Sequence, residues 1–98
     1  MRSITPSEYV RGDGGTLIDV REPSEVAEVS VEGAVLLPMS TLLEHLDDVP
    51  EGPLYILCHS GARSARVAQF LEQRGHDASN VEGGIVEWEA SGLPVRRP

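Results

Sequence analysis

The stretch LYILCHSGARSARVAQFLEQRG, residues 54–75, decides the fold predicted for this chain. It begins with a short apolar run, residues 54–58, which has the length and composition of a strand buried on both faces. A glycine-containing loop follows, and then an amphipathic helix whose apolar face includes Val67 and Leu71. Gly75 stands where a glycine commonly ends a helix. The pattern predicts a strand of a parallel sheet, followed by a loop and by a helix that packs on that sheet.

The same alternation extends along the whole chain. Further buried strands are predicted at residues 16–20 and 34–38, and a weaker strand at 78–84. A first helix is predicted from the capping box at residues 5–8 to the glycine-rich residues 12–15, and a second at 23–28. A third is predicted at 40–49 with Ser40 as its cap, a fourth from near Ser64 to Gly75, and a last short one that ends at Gly92. Strands that alternate with helices through short loops are typical of a parallel sheet covered on both faces. We therefore predict one α/β domain over residues 1–98.

The composition limits the classes of partner and compartment. A chain of 98 residues suits one domain, which removes about 65% of its unfolded surface from water. Its 16 acidic and 8 basic residues give a formal net charge of -8, which argues against nucleic-acid and anionic-membrane partners. The first residues lack the apolar run of a signal peptide, and no stretch approaches the ~20 apolar residues of a membrane span. A reducing, cytoplasmic location is therefore expected.

Cys58 is the only cysteine, and its position admits two interpretations. A lone free cysteine often packs as a small buried apolar group. In a parallel sheet, however, ligands bind beyond the carboxyl ends of the strands, and Cys58 ends the predicted strand 54–58. N–H groups at a helix start bring a cysteine pKa from ~8.5 into a range of about 3.5 to 7.5. Gly61 suits a tightly curled loop, because glycine adopts a positive φ without strain. The position therefore favours a nucleophilic cysteine.

Three segments resemble one known family. CHSGARS, residues 58–64, is similar to the active-site loop of rhodanese-type sulfurtransferases. Residues 17–39 resemble the segment before the catalytic strand of that family, and residues 81–95 resemble its closing motif. Together the matches span nearly the whole chain in the expected order. The resemblance implies a single rhodanese-like domain of α/β class, with a mostly parallel five-stranded sheet and helices on both faces.

The resemblance also implies a sulfur transfer in two steps. The Cys58 thiolate attacks the outer sulfur of a small anionic donor such as thiosulfate and becomes a persulfide. No second cysteine can resolve that persulfide within the chain, so an external acceptor takes the sulfur: cyanide, a thiol or a protein dithiol. No cofactor is implied. The residues expected to bind the substrate, mainly through backbone N–H groups, are His59, Ser60, Gly61, Ala62, Arg63 and Ser64.

Several side chains near the thiol have two interpretations. Arg63 either attracts an anionic donor or pairs with a carboxylate such as Asp19 and holds the loop in shape. His59 either favours the thiolate when protonated or lies exposed with little effect. Ser64 either donates a hydrogen bond to the reacting groups or caps the helix. Asp19 and Arg21 are expected to form an ion pair that supports the site.

Other functions remain as alternatives. The domain is either a sulfurtransferase or a module that carries sulfur or binds a partner without turnover. Cysteine phosphatases and arsenate reductases usually have one residue more than the four that separate Cys58 from Arg63, so they are a minor alternative. A zinc site is not predicted, because the spacing of Cys58, His45, His59 and His76 is not that of zinc ligands. The physiological donor, the acceptor and the oligomeric state stay open.

Overall fold

The computed structural model describes residues 1–12 and 14–98 and contains one five-stranded sheet. Its strands are β1 (Arg2–Ile4), β2 (Thr16–Asp19), β3 (Val35–Leu36), β4 (Pro53–Leu57) and β5 (Asp77–Val81). The order across the sheet is β1-β5-β4-β2-β3, and every neighbouring pair is parallel. Asp13, part of the stretch predicted to end the first helix, lies outside the described residues. The predicted α/β class with a five-stranded sheet is confirmed.

Within the described residues, three α-helices and one 3₁₀ helix connect the strands, and a fourth α-helix follows β5. They are α1 (Pro6–Arg11), α2 (Pro23–Glu28), α3 (Ala62–Gln73), α4 (Gly84–Ala90) and the 3₁₀ helix Met39–Asp48. The predicted capping box starts α1, since Thr5 and Glu8 each accept a hydrogen bond from the other's backbone N–H. Gly75, at φ 94°, ends α3 as predicted. In the part of the chain that the structure describes, no helix is long and apolar enough to cross a membrane.

Alternate residues of the strands face two separate apolar layers. One layer lies between the sheet and α3 with the 3₁₀ helix, and its buried members include Ile18, Val20, Leu42, Leu54, Ile56, Cys58, Val67, Ala68 and Leu71. The other lies between the sheet and α1 with α4, and its buried members are Leu17, Val31, Leu57, Val81, Ile85 and Trp88. Because side chains alternate along a strand, β2 and β4 contribute to both layers. Helices therefore cover both faces, as predicted.

The two edge strands differ from the sequence predictions. β1 was not predicted, because its three residues are mostly exposed and show no apolar alternation. It pairs with β5 through backbone hydrogen bonds that do not depend on side-chain polarity. The buried strand predicted at residues 34–38 is wrong in extent and burial, since only Val35–Leu36 pair and both are exposed. The reason is that β3 has a neighbour on one side only, so its outer side meets solvent.

The helix predicted at residues 40–49 is present, but its predicted cap is wrong. The segment is the 3₁₀ helix, and it bends at His45 (φ -127°, ψ 24°). Pro38, not Ser40, precedes its first turn. The Ser40 hydroxyl instead donates to Glu22 Oε1 at 2.8 Å, which ties this segment to the start of α2.

Candidate active site

Cys58 directly follows β4 at the carboxyl end of the sheet. Its side chain lies on the same face as Ile56, two residues earlier, and packs in the layer below α3. Only 1% of the residue is exposed. The sulfur is thus held at the base of the loop that connects β4 to α3, where incoming groups must approach it through that loop.

The loop after Cys58 curls back so that its N–H groups converge on the sulfur. The Gly61 N–H donates to Cys58 Sγ with an N···S distance of 3.1 Å. Gly61 has φ 105°, in the left-handed region that glycine adopts without strain, and α3 begins directly after it. The N–H groups of the first helical turn have no intrahelical acceptor, so they are available to an anion at this end of the helix.

These contacts favour the thiolate form of Cys58. Burial acts to raise the pKa of the thiol, because it disfavours the charged form. Hydrogen bonding with the Ser64 hydroxyl, and with the backbone N–H groups of Ser64, Gly61 and Ser60, acts in the opposite direction and outweighs burial. The net result is that the pKa of Cys58 lies below its ordinary value. The loop therefore favours ionisation of the Cys58 thiol.

The start of α4 fixes the orientation of the loop. The Ile85 N–H donates to the Cys58 carbonyl at 2.9 Å, and the Val86 N–H donates to the His59 carbonyl at 3.1 Å. In a trans peptide the N–H points opposite to the C=O. The N–H groups of His59 and Ser60 are consequently turned away from α4. This arrangement explains how the Ser60 N–H comes to stabilise the sulfur.

The close approach of the loop to α4 requires glycine at residue 84. A Cβ added to Gly84 would stand 2.4 Å from the His59 carbonyl oxygen and 2.5 Å from that of Cys58. Gly84 also has φ 59° and Gly83 has φ 73°. Any larger residue at position 84 would push the loop away from the helix that orients it.

Arg63 is fixed by Glu25 of α2. Its two terminal nitrogens donate to the two carboxylate oxygens of Glu25 at 2.7 and 2.8 Å. Arg63 therefore pairs with a carboxylate, which is one of its two expected roles, but the partner is Glu25 of α2 and not Asp19, the example given. The hydrogen bonds from Arg63 lower the pKa of Glu25 to about 2. The pair joins α2 to the first turn of α3 and offsets the charge of Arg63 beside the loop.

The predicted ion pair of Asp19 and Arg21 is present and buried. Arg21 is 1% exposed and donates through Nε and a terminal nitrogen to the Asp19 carboxylate, at 2.8 Å in its shortest contact. The same guanidinium donates to the Val29 carbonyl at 2.7 Å, just beyond the last turn of α2. Arg21 thus holds the end of α2 in position, and α2 is the helix on which Glu25 lies in contact with Arg63.

Comparison with known proteins agrees with this geometry. A family model described as the rhodanese-like domain matches residues 7–91. The chain belongs to the rhodanese-like domain family. This rhodanese-like domain is 36% identical over 84 residues to a sulfurtransferase of Allochromatium vinosum, covering 84% of the chain and 78% of that protein. It is also 36% identical over 90 residues to the thiosulfate sulfurtransferase GlpE of Actinobacillus pleuropneumoniae, covering 90% of the chain and 83% of that protein.

Solved structures give the same family. The rhodanese-like domain superposes on a rhodanese-related protein from Thermoplasma volcanium with a TM-score of 0.91 and 35% identity, over 98% of each chain. The relatives that carry the name sulfurtransferase assign the domain, in general terms, to the rhodanese-type sulfurtransferases.

The structure brings the predicted loop residues of this rhodanese-like domain together, with different degrees of burial. His59, Ser60 and Ala62 are exposed on the outer side of the loop, and their side chains form its rim. Ser64 is fully buried and is the third residue of α3. Its proposed role as the helix cap is wrong, since Gly61 occupies that position. The Ser64 hydroxyl instead lies 3.2 Å from Cys58 Sγ.

Asn80 is a residue of the site that the sequence prediction missed. It lies in β5, in register with Ile56 of β4, and its Oδ1 accepts a hydrogen bond of 2.5 Å from the Ser64 hydroxyl. Asn80 is 7% exposed. The available signal was an amide side chain within the weaker strand predicted at residues 78–84, because an amide that becomes buried in a sheet requires partners. Sequence spacing did not reveal that the partner would be Ser64.

Proposed function

We propose that this domain transfers sulfane sulfur from a small anionic donor such as thiosulfate to an external acceptor through a persulfide on Cys58. The observation that carries the proposal is the convergence of N–H donors on a buried sulfur, with Gly61 at 3.1 Å. A site of this kind stabilises a negative charge on sulfur in a place that bulk water does not fill.

In the first step the Cys58 thiolate attacks the outer sulfur of thiosulfate. A new S–S bond forms between Cys58 and that sulfur, the S–S bond of the donor breaks, and sulfite leaves with the electron pair of the broken bond. The product is a persulfide on Cys58. The loop N–H groups that stabilised the thiolate lie close enough to stabilise the charge of the persulfide as well.

In the second step the acceptor attacks the outer persulfide sulfur. Cyanide would leave as thiocyanate, and a thiol or protein dithiol would carry the sulfur away as a new persulfide. The S–S bond to Cys58 breaks, and Cys58 returns as a thiolate. The lowered pKa of Cys58 assists this step too, because a thiol of lower pKa is a better leaving group.

The size and charge of the loop support sulfur rather than a tetrahedral oxyanion. Four residues separate Cys58 from Arg63, and the Gly61 N–H is already in hydrogen-bonding contact with the single Sγ atom. Arg63 makes its paired contact with Glu25 and is not directed as an isolated cation at an incoming phosphate. These features make phosphatase or arsenate reductase activity the less favoured reaction.

Intact-protein mass spectrometry tests the proposal. Incubation with thiosulfate should add the mass of one sulfur atom, and later addition of cyanide should remove it and produce thiocyanate. Cys58→Ser is the control and should gain no sulfur. Repeated turnover would establish an enzyme, whereas a single loading that cyanide or thiols cannot discharge would indicate a carrier that needs a protein partner. No sulfur gain from thiosulfate or from other sulfane donors would overturn the proposal.

A further inference from the structure

A chain of three buried polar side chains leads from Cys58 towards β5. The Cys58 thiol donates to Ser64 Oγ at 3.2 Å, and the Ser64 hydroxyl donates to Asn80 Oδ1 at 2.5 Å. The exposed fractions of Cys58, Ser64 and Asn80 are 1%, 0% and 7%. Because the three groups lie in the interior, a contact that one of them loses is not readily replaced by bulk water.

The Ser64 hydroxyl has one proton and faces two groups that can accept it. While Cys58 is a thiol, the proton of Ser64 is free to point at Asn80 Oδ1, which lies 2.5 Å from Ser64 Oγ. When Cys58 loses its proton, the sulfur becomes an acceptor and the Ser64 proton is required there. If Asn80 then kept Oδ1 towards Ser64, two oxygens would face each other without a proton between them. A buried acceptor left in that state loses its hydrogen bond with no water to replace it, which is unfavourable.

The amide of Asn80 has the chemistry to remove this conflict. An asparagine carries an acceptor oxygen and a donor NH₂ on one planar group of nearly symmetrical shape. Asn80 Nδ2 lies on the loop side, 3.9 Å from the position that a Cβ on Gly61 would take. A half-turn of the amide presents its N–H to Ser64 Oγ. The Ser64 proton is then free to turn towards Cys58 Sγ.

We propose that Asn80 is a positioning residue that sets the direction of the Ser64 hydroxyl and lets it reverse as Cys58 changes between thiol and thiolate. Asn80 acts through Ser64 and does not itself contact the reacting sulfur. The proposal deepens the proposed sulfur transfer, in which the thiolate is the reactive form. The reversal itself does not require a sulfur donor, so it is testable separately.

Ionisable groups on the neighbouring elements form a background that the test leaves unchanged. Two of these groups are ion pairs, Glu25 with Arg63 and the buried Asp19 with Arg21. The others are His59 of the loop, Asp77 and Glu82 at the two ends of β5, and Glu87 of α4. Changes confined to Asn80 therefore report on Asn80 and on Ser64.

Two substitutions of similar shape separate the proposed role from simple packing. In Asn80→Asp, a carboxylate accepts the Ser64 proton permanently and competes with the thiolate for it. The pKa of Cys58 should rise by about one unit or more, which moves the midpoint of the alkylation profile to higher pH by the same amount. In Asn80→Leu, nothing competes for the Ser64 proton. The pKa of Cys58 should then be at or below that of the unsubstituted protein.

The assay is the rate of Cys58 alkylation by iodoacetamide across a pH range, without a sulfur donor, and urea unfolding establishes that each variant is folded. If Asn80→Leu does not fold, Asn80→Ala replaces it. A rise of the pKa in the leucine or alanine variant, or no rise in the aspartate variant, would overturn the proposal. In a Ser64→Ala background the effect of Asn80→Asp should shrink, and an undiminished effect would also contradict it. Alkylation needs no sulfur transfer, so the two tests are independent. The role of Asn80 can be refuted while persulfide formation is observed, and it can be supported while persulfide formation is not.

Discussion

Replacing Gly84 by alanine should disconnect the active-site loop from the helix that orients it. The new Cβ would stand 2.4 Å from the His59 carbonyl oxygen, about 0.9 Å closer than the ~3.3 Å at which a carbon and a carbonyl oxygen normally meet. The loop must therefore move by nearly one ångström. Such a movement breaks or weakens the hydrogen bonds from Ile85 and Val86 to the carbonyls of Cys58 and His59.

The expected loss of stability follows from those contacts. Placing a residue with a Cβ at φ 59° costs about 1–2 kcal/mol, and two hydrogen bonds contribute about 1 kcal/mol each. The free energy of unfolding should thus fall by about 3–4 kcal/mol. A displacement of about 1 Å in a catalytic group can cost about a hundredfold in rate, so sulfur transfer should fall by a similar factor.

Gly92→Ala provides the matched control at the other end of α4. Gly92 has φ 79°, but an added Cβ would meet no atom within 4 Å. The free energy of unfolding of that variant should fall only by the cost of a Cβ at positive φ, about 1–2 kcal/mol. Its rate of sulfur transfer should be unchanged. Urea unfolding and the thiosulfate–cyanide assay measure both quantities. Equal stability losses in the two variants, with sulfur transfer intact in Gly84→Ala, would refute the argument that α4 orients the loop.

Three further predictions concern Cys58 and the pair formed by Glu25 and Arg63. Cys58→Ser should abolish sulfur loading and leave the fold intact, because the Gly61 N–H and the Ser64 hydroxyl remain as hydrogen-bond partners for the new hydroxyl. Retained transfer in this variant would contradict the persulfide mechanism. Because the folded pKa of Glu25 is about 2, below its ordinary value, its stabilisation is present above pH 4.5 and is lost as the pH falls towards 2. Glu25→Gln should therefore lower the free energy of unfolding at neutral pH by about 1 kcal/mol, the scale of a partly exposed pair. It should also flatten the acid end of the curve of stability against pH. An unchanged curve would contradict the argument that ionisation of Glu25 stabilises the fold. Arg63→Lys keeps the charge but loses the two-pronged contact, so unfolding measurements should show a loss of about 1 kcal/mol, together with a decrease in transfer if the pair shapes the loop.

Two of the three inner strands, β2 and β4, were predictable because their runs are apolar on both faces. The runs at β2 and β4 carry that pattern, and it follows directly from burial between two helical layers. β1 and β3 lie at the edges, where one side meets solvent: β1 carries no apolar run, whereas β3 carries one although both of its residues are exposed. Their position comes from backbone pairing with β5 and β2, which leaves little trace in side-chain polarity.

The two serines that were predicted to cap helices show a second limit of prediction from sequence. Ser40 and Ser64 both stand near helix starts, where a serine hydroxyl commonly accepts a backbone N–H. In the fold each hydroxyl has a partner that is distant in sequence, Glu22 for Ser40 and Asn80 for Ser64. A propensity describes only the neighbours along the chain, so these tertiary contacts override it.

The sequence by itself determined the α/β alternation, the cysteine at the end of β4 and the glycine loop that follows it. These features depend on local patterns: an apolar run, a residue that adopts a positive φ, and a helix start close behind. Only the tertiary structure decided that Arg63 pairs with Glu25, that α4 orients the Cys58 loop, and that Asn80 lies behind Ser64. The physical reason is that each of these contacts joins segments brought together by the order of strands in the sheet, which no local pattern encodes.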